Sequence, residues 1–494
     1  MGIEILKEQF DERDYAAFSE KLVRSVEALR AVVERPLFGL GETSIGAELE
    51  LDLVDEAGLP LPANRAVLAT IADERVSLEV NRFNLEINSS AVPLAGGPFT
   101  ALEGEIGSVL GVVRAAARAQ GGDVVTIGIL PTLRARDLSA DALTDARRYR
   151  ALAAGLRRAR GEPFAVRIEG DEVLEVAADA VTFEGANTSF QVHLRVTPAA
   201  FADTLNAAQI ATAFVVAVSG NSPFFLGRRL WHETRIALFR QSVDDRLGAS
   251  EDDWRPARVS FGHGWTRRSA VELFTESVAL HEPLLPQCEA EDPGAVVSAG
   301  GVPRLAELRL HHGTVWRWNR AVYDHEDGGH LRIEMRALPA GPTVRDMTAN
   351  AALAIGLTRA LAWRAEALVT QMTFGQARRN FYSAARDGLD AELLWPSDRS
   401  PSPRAVSVAE LAPALCSLAV EGLIDGGVSP DEAESWIGII RERVARRMTG
   451  AVWQRRTVEA LERSLDRDAA LAVMVGRYRA LSEAGDVIHT WPQG

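Results

Sequence analysis

Cysteine is scarce in this chain: two in 494 residues, Cys288 and Cys416, far apart and in unrelated contexts. No CxxC pair exists, so a zinc ribbon or a disulfide framework lacks its ligands. No run of 18 apolar residues occurs, and the richest apolar stretch, 210–218, is too short to cross a bilayer. The first ten residues are charged and lack an apolar h-region, so no signal peptide is read. Positive charge is in deficit: 54 Lys and Arg against 68 Asp and Glu leave a net charge of −14. That balance argues against non-specific nucleic-acid binding and against anionic membrane surfaces. A nucleotide ligand stays compatible with it, because a local metal or arginine cluster overrides the global field. No internal repeat or low-complexity segment is found. A soluble cytoplasmic protein without nucleic-acid or membrane partners is the expectation.

Familiar catalytic motifs are also missing. There is no Walker A sequence. Gly39, Gly41 and Gly46 are spaced too widely for a dinucleotide fingerprint and lead into a strand, not a helix. Neither a nucleophile elbow nor a zincin motif occurs.

What the chain does have is 47% hydrophobic residues, ample for a large core, and a length too great for one simple domain. Apolar spacing predicts helices over 1–35, 99–117, 139–160 and 199–218, and almost everywhere after 345. Strands are predicted over 45–54, 85–88, 124–130 and 188–196, a β-rich excursion over 164–184, and a hairpin over 314–338 with its tip at 324–329. The stretch Ser397 to Pro403 reads as a linker. It divides a catalytic unit, 1–395, from a helical C-terminal segment, 404–494.

Four short runs carry the chemistry. In Gly46-Ala47-Glu48-Leu49-Glu50-Leu51-Asp52, strand alternation puts Glu48, Glu50 and Asp52 on one face. Adjacent carboxylates repel unless cations sit among them, so the pattern suggests a divalent-metal site of the kind that handles phosphate. In the second run, Asn84, Glu86 and Asn88 share a face. Glu79 lies seven residues before Glu86, an odd offset, and joins that face only if the chain bends between them. In the third, Gln191, His193 and Arg195 share a face opposite Phe190, Val192 and Leu194. In the fourth, Arg332, Glu334 and Arg336 alternate with Leu331, Ile333 and Met335. A carboxylate between two guanidiniums suits a junction of metal and phosphate. Each run alone fits the exposed face of an antiparallel sheet better than a site, and it is the four together that point to one. The adjacent His311 and His312 are read as structural, and Trp316 and Trp318 as packing the hairpin.

Together the runs resemble the glutamate–cysteine ligase family of the bacterial and plant type and its carboxylate–amine ligase relatives. Gly46, Glu48 and Glu50 match the family's Gly-x-Glu-x-Glu strand, and Glu79 and Glu86 its paired acids, the first usually Asp. Thr188 to Arg195 is similar to its Thr-x-x-x-Val strand, and Asn221-Ser222-Pro223-Phe224 to the plant-like Asn-Ser-Pro-Phe. Arg235, Asp245 and Arg246 keep the plant-type spacing, and Ile333-Glu334-Met335-Arg336 is similar to Leu-Glu-Met-Arg. The order agrees over roughly 40–375. Phe239 stands where the plant pattern has Trp, the arm 311–323 and the segment beyond Pro403 have no recognised match, and cysteine is therefore not assumed as the acceptor.

The resemblance implies an α+β, glutamine-synthetase-like fold: a curved antiparallel sheet forming a funnel, with helices outside. It implies ATP as co-substrate, Mg²⁺ or Mn²⁺, a small carboxylate such as L-glutamate, and an amine. It implies metal binding by Glu48, Glu50, Glu86, Glu334, Glu79 and His193, and phosphate binding by Arg336. Arg332 and His193 are nucleotide contacts on the same ground. Arg235 is the substrate-carboxylate candidate, with Arg246 in reserve because it can pair with Asp245. Two other readings stay open: a phosphotransferase resembling guanidino kinases, and a non-catalytic nucleotide-binding partner protein. A homo-oligomer is also left open.

Overall fold

The computed structural model describes residues 5–178, 181–246, 255–397 and 400–492. Its centre is an eight-stranded antiparallel sheet: β1 (Ser44–Val54), β2 (Val76–Leu78), β3 (Asn84–Asn88), β4 (Val92–Pro93), β5 (Asp123–Val125), β6 (Phe190–Val196), β7 (Asn319–Asp324) and β8 (His330–Met335). The order is β7-β8-β6-β1-β3-β2, with β4 and β5 pairing with opposite ends of β1. The fold class is α+β, as expected.

Alternation dictates the two faces. Ala47, Leu49 and Leu51 of β1, Leu85 and Ile87 of β3, Val192 and Leu194 of β6, and Leu331 and Ile333 of β8 are buried. They feed one continuous core with the helices Pro98–Ala119, Phe201–Ser219 and Val344–Ala362. The segment Pro198–Ser219 is long and apolar enough to cross a membrane, but 94% of its apolar window is buried inside the protein. Apolar residues on every side of a helix mark a core helix as readily as a membrane span.

Some elements differ from the sequence reading. The strand expected over 124–130 pairs only through Val125, and the helix expected from 139 begins at Arg147 after two short 3-10 turns. A helix that was not expected, Ala306–His312, precedes the hairpin, and His311 and His312 end it, both buried. Trp316 and Trp318 pack on Phe239, each with ring centroids 5.8 Å away, as core residues do. The linker-like stretch is largely a two-stranded hairpin, Glu392–Ser397 with Ser400–Ser407; its residues 398–399 lie outside the described residues. Proline and serine suggested a linker, yet an edge strand tolerates proline where no ladder donor is needed.

The C-terminal helices are packed into the core. Arg443, on the helix Pro430–Ala445, is buried with Asp346 at 2.8 Å and also bonds to Asn350. Tyr478 donates to Thr126 O at 2.9 Å and accepts from Asn221 Nδ2 at 2.8 Å. Gly341 lies at this junction with φ +76°, where a Cβ would overlap Thr126 O and sit against the Tyr478 hydroxyl. Only glycine meets both demands at low cost.

Arg443→Met removes one partner of a buried pair and leaves Asp346 uncompensated. The expected loss is about 3–5 kcal/mol of folding stability, read by urea melts. An unchanged midpoint would show that the Arg443–Asp346 pair adds nothing to the stability of the fold.

Candidate active site

The register of the central strands places the polar residues in rows. Arg320 on β7 faces Glu334 on β8, Glu334 faces His193 on β6, and His193 faces Gly46 on β1. In the next row Gln191 faces Glu48, and Glu48 faces Asn88. Then Glu50 faces Glu86, and Glu86 faces Ser77. All four runs therefore meet on one face of one sheet.

Two triads of ligating side chains result. Glu48, His193 and Glu334 each present one atom within 4.8 Å of the others, and Glu50, Glu79 and Glu86 do the same. His193 Nε2 lies 3.1 Å from Glu48 Oε1 and 3.8 Å from Glu334 Oε1. Glu79 reaches its triad because β2 ends at Leu78 and the chain turns before β3 begins at Asn84. This is the bend that its odd offset required. Carboxylate oxygens plus one imidazole form a donor set for hard divalent cations such as Mg²⁺ or Mn²⁺. The residues present thus fit the expected metals.

Arginines border the triads. Arg320 grips Glu334 with two nitrogens, Nη2 at 2.9 Å from Oε1. Arg336 Nη1 is 3.3 Å from Glu334 Oε1 and also bonds to Gln191. Glu50 accepts from Ser189 N (2.7 Å), Ser189 Oγ (2.9 Å) and Gln191 Nε2 (3.1 Å). Arg235, on the helix Thr234–Ser242, is buried, pairs with Glu233 at 3.1 Å, and donates to Ala337 O.

The acids separate into two electrostatic groups. Burial works against the Glu334 charge, but Arg320, Arg336 and His193 outweigh it and hold that carboxyl well below the usual range. Glu48 is also lowered, with His193 outweighing the cost of burial. The other triad goes the opposite way. Burial, and then repulsion from Glu48 and Glu50, push Glu86 up to about 7. Burial and the neighbouring Glu86, Glu50 and Glu184 charges push Glu79 well above its ordinary value. Glu50 is raised by burial against the pull of Arg235 and Arg336. With no cation among them, these acids hold their protons more tightly than free carboxyls do.

Other expected residues are placed elsewhere. Arg332 bonds to Asp324 at 3.1 Å and His330 at 3.0 Å, two positions along β8 from Glu334. The counter-ion expected for Arg246 is corrected: it pairs with Asp244 through Nε (2.8 Å) and Nη2 (2.7 Å). Asp245 instead pairs with Arg258 at 2.8 Å, both buried. A carboxylate two residues before an arginine can fold back onto its fork, and burial of Arg258 demands an acid of its own. Sequence reasoning missed three residues. Gln191 was visible on its strand face but received no role. Arg320 shows the same alternation on β7. Glu184, in the turn after the short helix Val181–Phe183, had no periodic signal at all.

An antiparallel sheet thus carries two acidic triads bordered by arginines on one face. The model of glutamate–cysteine ligase family 2 matches residues 44–415. The chain belongs to this family, which places it among ATP-dependent ligases. The glutamate–cysteine ligase of Francisella tularensis in complex with AMP is similar in fold, with TM-score 0.55 and 11% identity, covering 91% of each chain. A bifunctional glutathione synthetase from Pasteurella multocida aligns at TM-score 0.45 and 11% identity, over 95% of this chain and 55% of that one. The ligase PafA in complex with the ubiquitin-like protein Pup aligns at 0.39 and 11%, over 87% and 71%. Neither of these last two scores bears on the fold. No curated protein sequence matches the chain.

A pH dependence follows. Acids whose folded pKa is raised favour folding below about 4.5, and that contribution is lost as pH rises through the folded values. For Glu86 that value is about 7, and for Glu184, raised by burial and by Glu50, about 8. Buried histidines such as His281 and His311, lowered by burial, act in the opposite sense but have finished titrating above about 6.5. The metal-free protein should therefore melt several degrees lower at pH 8.5 than at pH 6.5. Mg²⁺ or Mn²⁺ should raise the melting temperature more at pH 8.5. Equal metal stabilisation at both values would contradict the assignment.

Proposed function

We propose that this chain is an ATP-dependent carboxylate–amine ligase that forms an amide, of the γ-glutamyl type, through an acyl phosphate. Family membership together with the two triads on one sheet face supports this reading. The curved sheet acts as a funnel, with the catalytic unit within residues 1–395 and the helical segment 404–494 behind it. Glu48, Glu50, Glu86 and Glu334, with Glu79 and His193, hold Mg²⁺ or Mn²⁺. A cation held there would supply charge neutralisation to the phosphate oxygens. The need for ATP puts the protein in the cytoplasm.

The chemistry follows from the substrate. A carboxylate is a poor electrophile until it is phosphorylated. One of its oxygens attacks the γ-phosphorus of ATP, the bond to the bridging oxygen breaks, and ADP leaves. The lone pair of a neutral amine then attacks the acyl carbon. The carbon–oxygen bond to phosphate breaks, phosphate departs with the electron pair, and the nitrogen gives up a proton. The protein supplies position and charge rather than a covalent intermediate. Arg336, which bonds to Gln191 and lies 3.3 Å from Glu334, grips the transferring phosphoryl group in this reading. Arg235 orients the acid substrate, Arg332 lies on the nucleotide side with His193, and Arg246 is the second candidate for the substrate carboxylate.

The test is ADP release with Mg²⁺ and ATP against paired panels of acids, including L-glutamate, and amines, with mass detection of the product. ADP that requires both partners, together with a new amide mass, is the expected result. A phosphorylated guanidine would identify a phosphotransferase instead. Glu48→Gln should lower turnover on the order of a thousandfold while the melting profile stays cooperative. Glu334→Gln should do the same and also lower stability, since it removes a charge that Arg320 and Arg336 both engage. Wild-type turnover in Glu48→Gln would remove it from the site.

A further inference from the structure

A cavity of about 580 Å³ lies apart from the two triads, and no triad residue lines it. That volume is in the range of small-molecule sites. Three stretches of chain wall it: 62–66, at the start of the helix Asn64–Leu68; Arg82, in the turn before β3; and 140–145, with Arg150 beyond. The stretches are tied to one another. Asn64 N donates to Arg82 O at 2.9 Å, and Arg82 N donates to Ala142 O at 2.7 Å. Asn64 is buried, and its Nδ2 lies 2.8 Å from Thr144 Oγ1, 3.1 Å from Asn81 O and 3.2 Å from Asn84 O. Backbone ties and a buried polar side chain thus fix the walls in place.

Charge in this cavity is unevenly matched. Arg150 is spent on two acids, Glu8 at 2.7 Å and Asp145. Arg65 and Arg82 reach only backbone oxygens, those of Asp145 and Asp141, and neither forms an ion pair among the described residues. Asp141 also lines the cavity, and its carboxylate has no hydrogen bond or ion pair among the described residues. An exposed arginine by itself needs no counter-ion. Two unmatched guanidiniums and one unmatched carboxylate around a single cavity have a chemical meaning. Guanidinium forks take the oxygens of a phosphoryl group, and a carboxylate accepts from hydroxyls.

We infer that this cavity binds a small phosphate ester with a hydroxylated body, of the sugar-phosphate kind. Arg65 and Arg82 take the phosphoryl oxygens, and Asp141 accepts a hydroxyl. A phosphate monoester carries about two negative charges at neutral pH, one for each unmatched guanidinium. A monocarboxylate would leave one of them unmatched. A diphosphate or a dicarboxylate would bring a second acid group against Asp141. The site stands independently of the ligase reading, since none of its residues belongs to the catalytic face.

The experiment is calorimetric titration of the full chain with ribose 5-phosphate, inorganic phosphate and succinate. EDTA is present, so that no cation holds phosphate at the triads. Wild-type protein is compared with Arg65→Gln, Arg82→Gln, Arg82→Lys, Asp141→Ala and Arg336→Ala, with thermal melts as a check on folding. Glutamine can still donate to the backbone carbonyls but carries no charge. Ribose 5-phosphate should saturate one site, with Kd raised about tenfold by Arg65→Gln or Arg82→Gln and partly restored in Arg82→Lys. Asp141→Ala should weaken ribose 5-phosphate but not inorganic phosphate, and Arg336→Ala should leave both unchanged. Unchanged affinity in both glutamine variants, or loss of binding in Arg336→Ala, overturns the site. Succinate binding as tightly as ribose 5-phosphate overturns the phosphate assignment. Inorganic phosphate binding as tightly overturns the hydroxylated body. No saturable binding of ribose 5-phosphate at millimolar concentration overturns the inference as a whole.

Discussion

Everything in this molecule depends on one electrostatic demand: Glu48, Glu50, Glu79, Glu86 and Glu334 must share a sheet face without forcing it apart. The answer is graded. Glu334 is gripped by Arg320 and faced by Arg336, so it stays charged. Glu48 is supported by His193. Glu50 leans on Ser189 and Gln191. Glu79 and Glu86 have the least positive charge nearby and keep their protons longest. The face is thus charged on one side and protonated on the other.

The rest of the fold keeps that face in register. A slip of one residue between β1 and β6 would turn His193 and Gln191 into the core and break the triad of Glu48, His193 and Glu334. The apolar sides of the strands prevent this by packing on buried helices. Helix Phe201–Ser219 is apolar enough for a membrane because it lies in the middle of that core. The C-terminal helices extend the same support through the Arg443–Asp346 pair and through Tyr478, which ties Thr126 to Asn221. That coupling explains how a segment without recognisable motifs contributes to a site that it does not line.

Much of this was legible in the chain. The period of two in 46–52, 84–88, 190–196 and 331–336 predicted the strand faces correctly, because a buried sheet face tolerates little else. Glu79 was legible only conditionally, since its place depends on a turn that periodicity does not report. The β-hairpin over 392–407 was hidden by proline and serine. The helix Ala306–His312 was hidden because paired histidines and alternating tryptophans resemble a strand arm. Arg246 found a different acid from the one expected because local spacing offered it two. Glu184 and Arg320 drew no role because each is an ordinary charged residue until its neighbours are known.

The sequence by itself determined which residues share a strand face and which family the chain resembles, because both are written in local spacing. The tertiary structure decided which strands neighbour one another and how the acids divide between two triads. Those outcomes depend on contacts between segments separated by tens to hundreds of residues, as between Glu48 and His193 or Asp346 and Arg443. Local periodicity carries no information about such distances, whereas burial, charge compensation and packing fix them together.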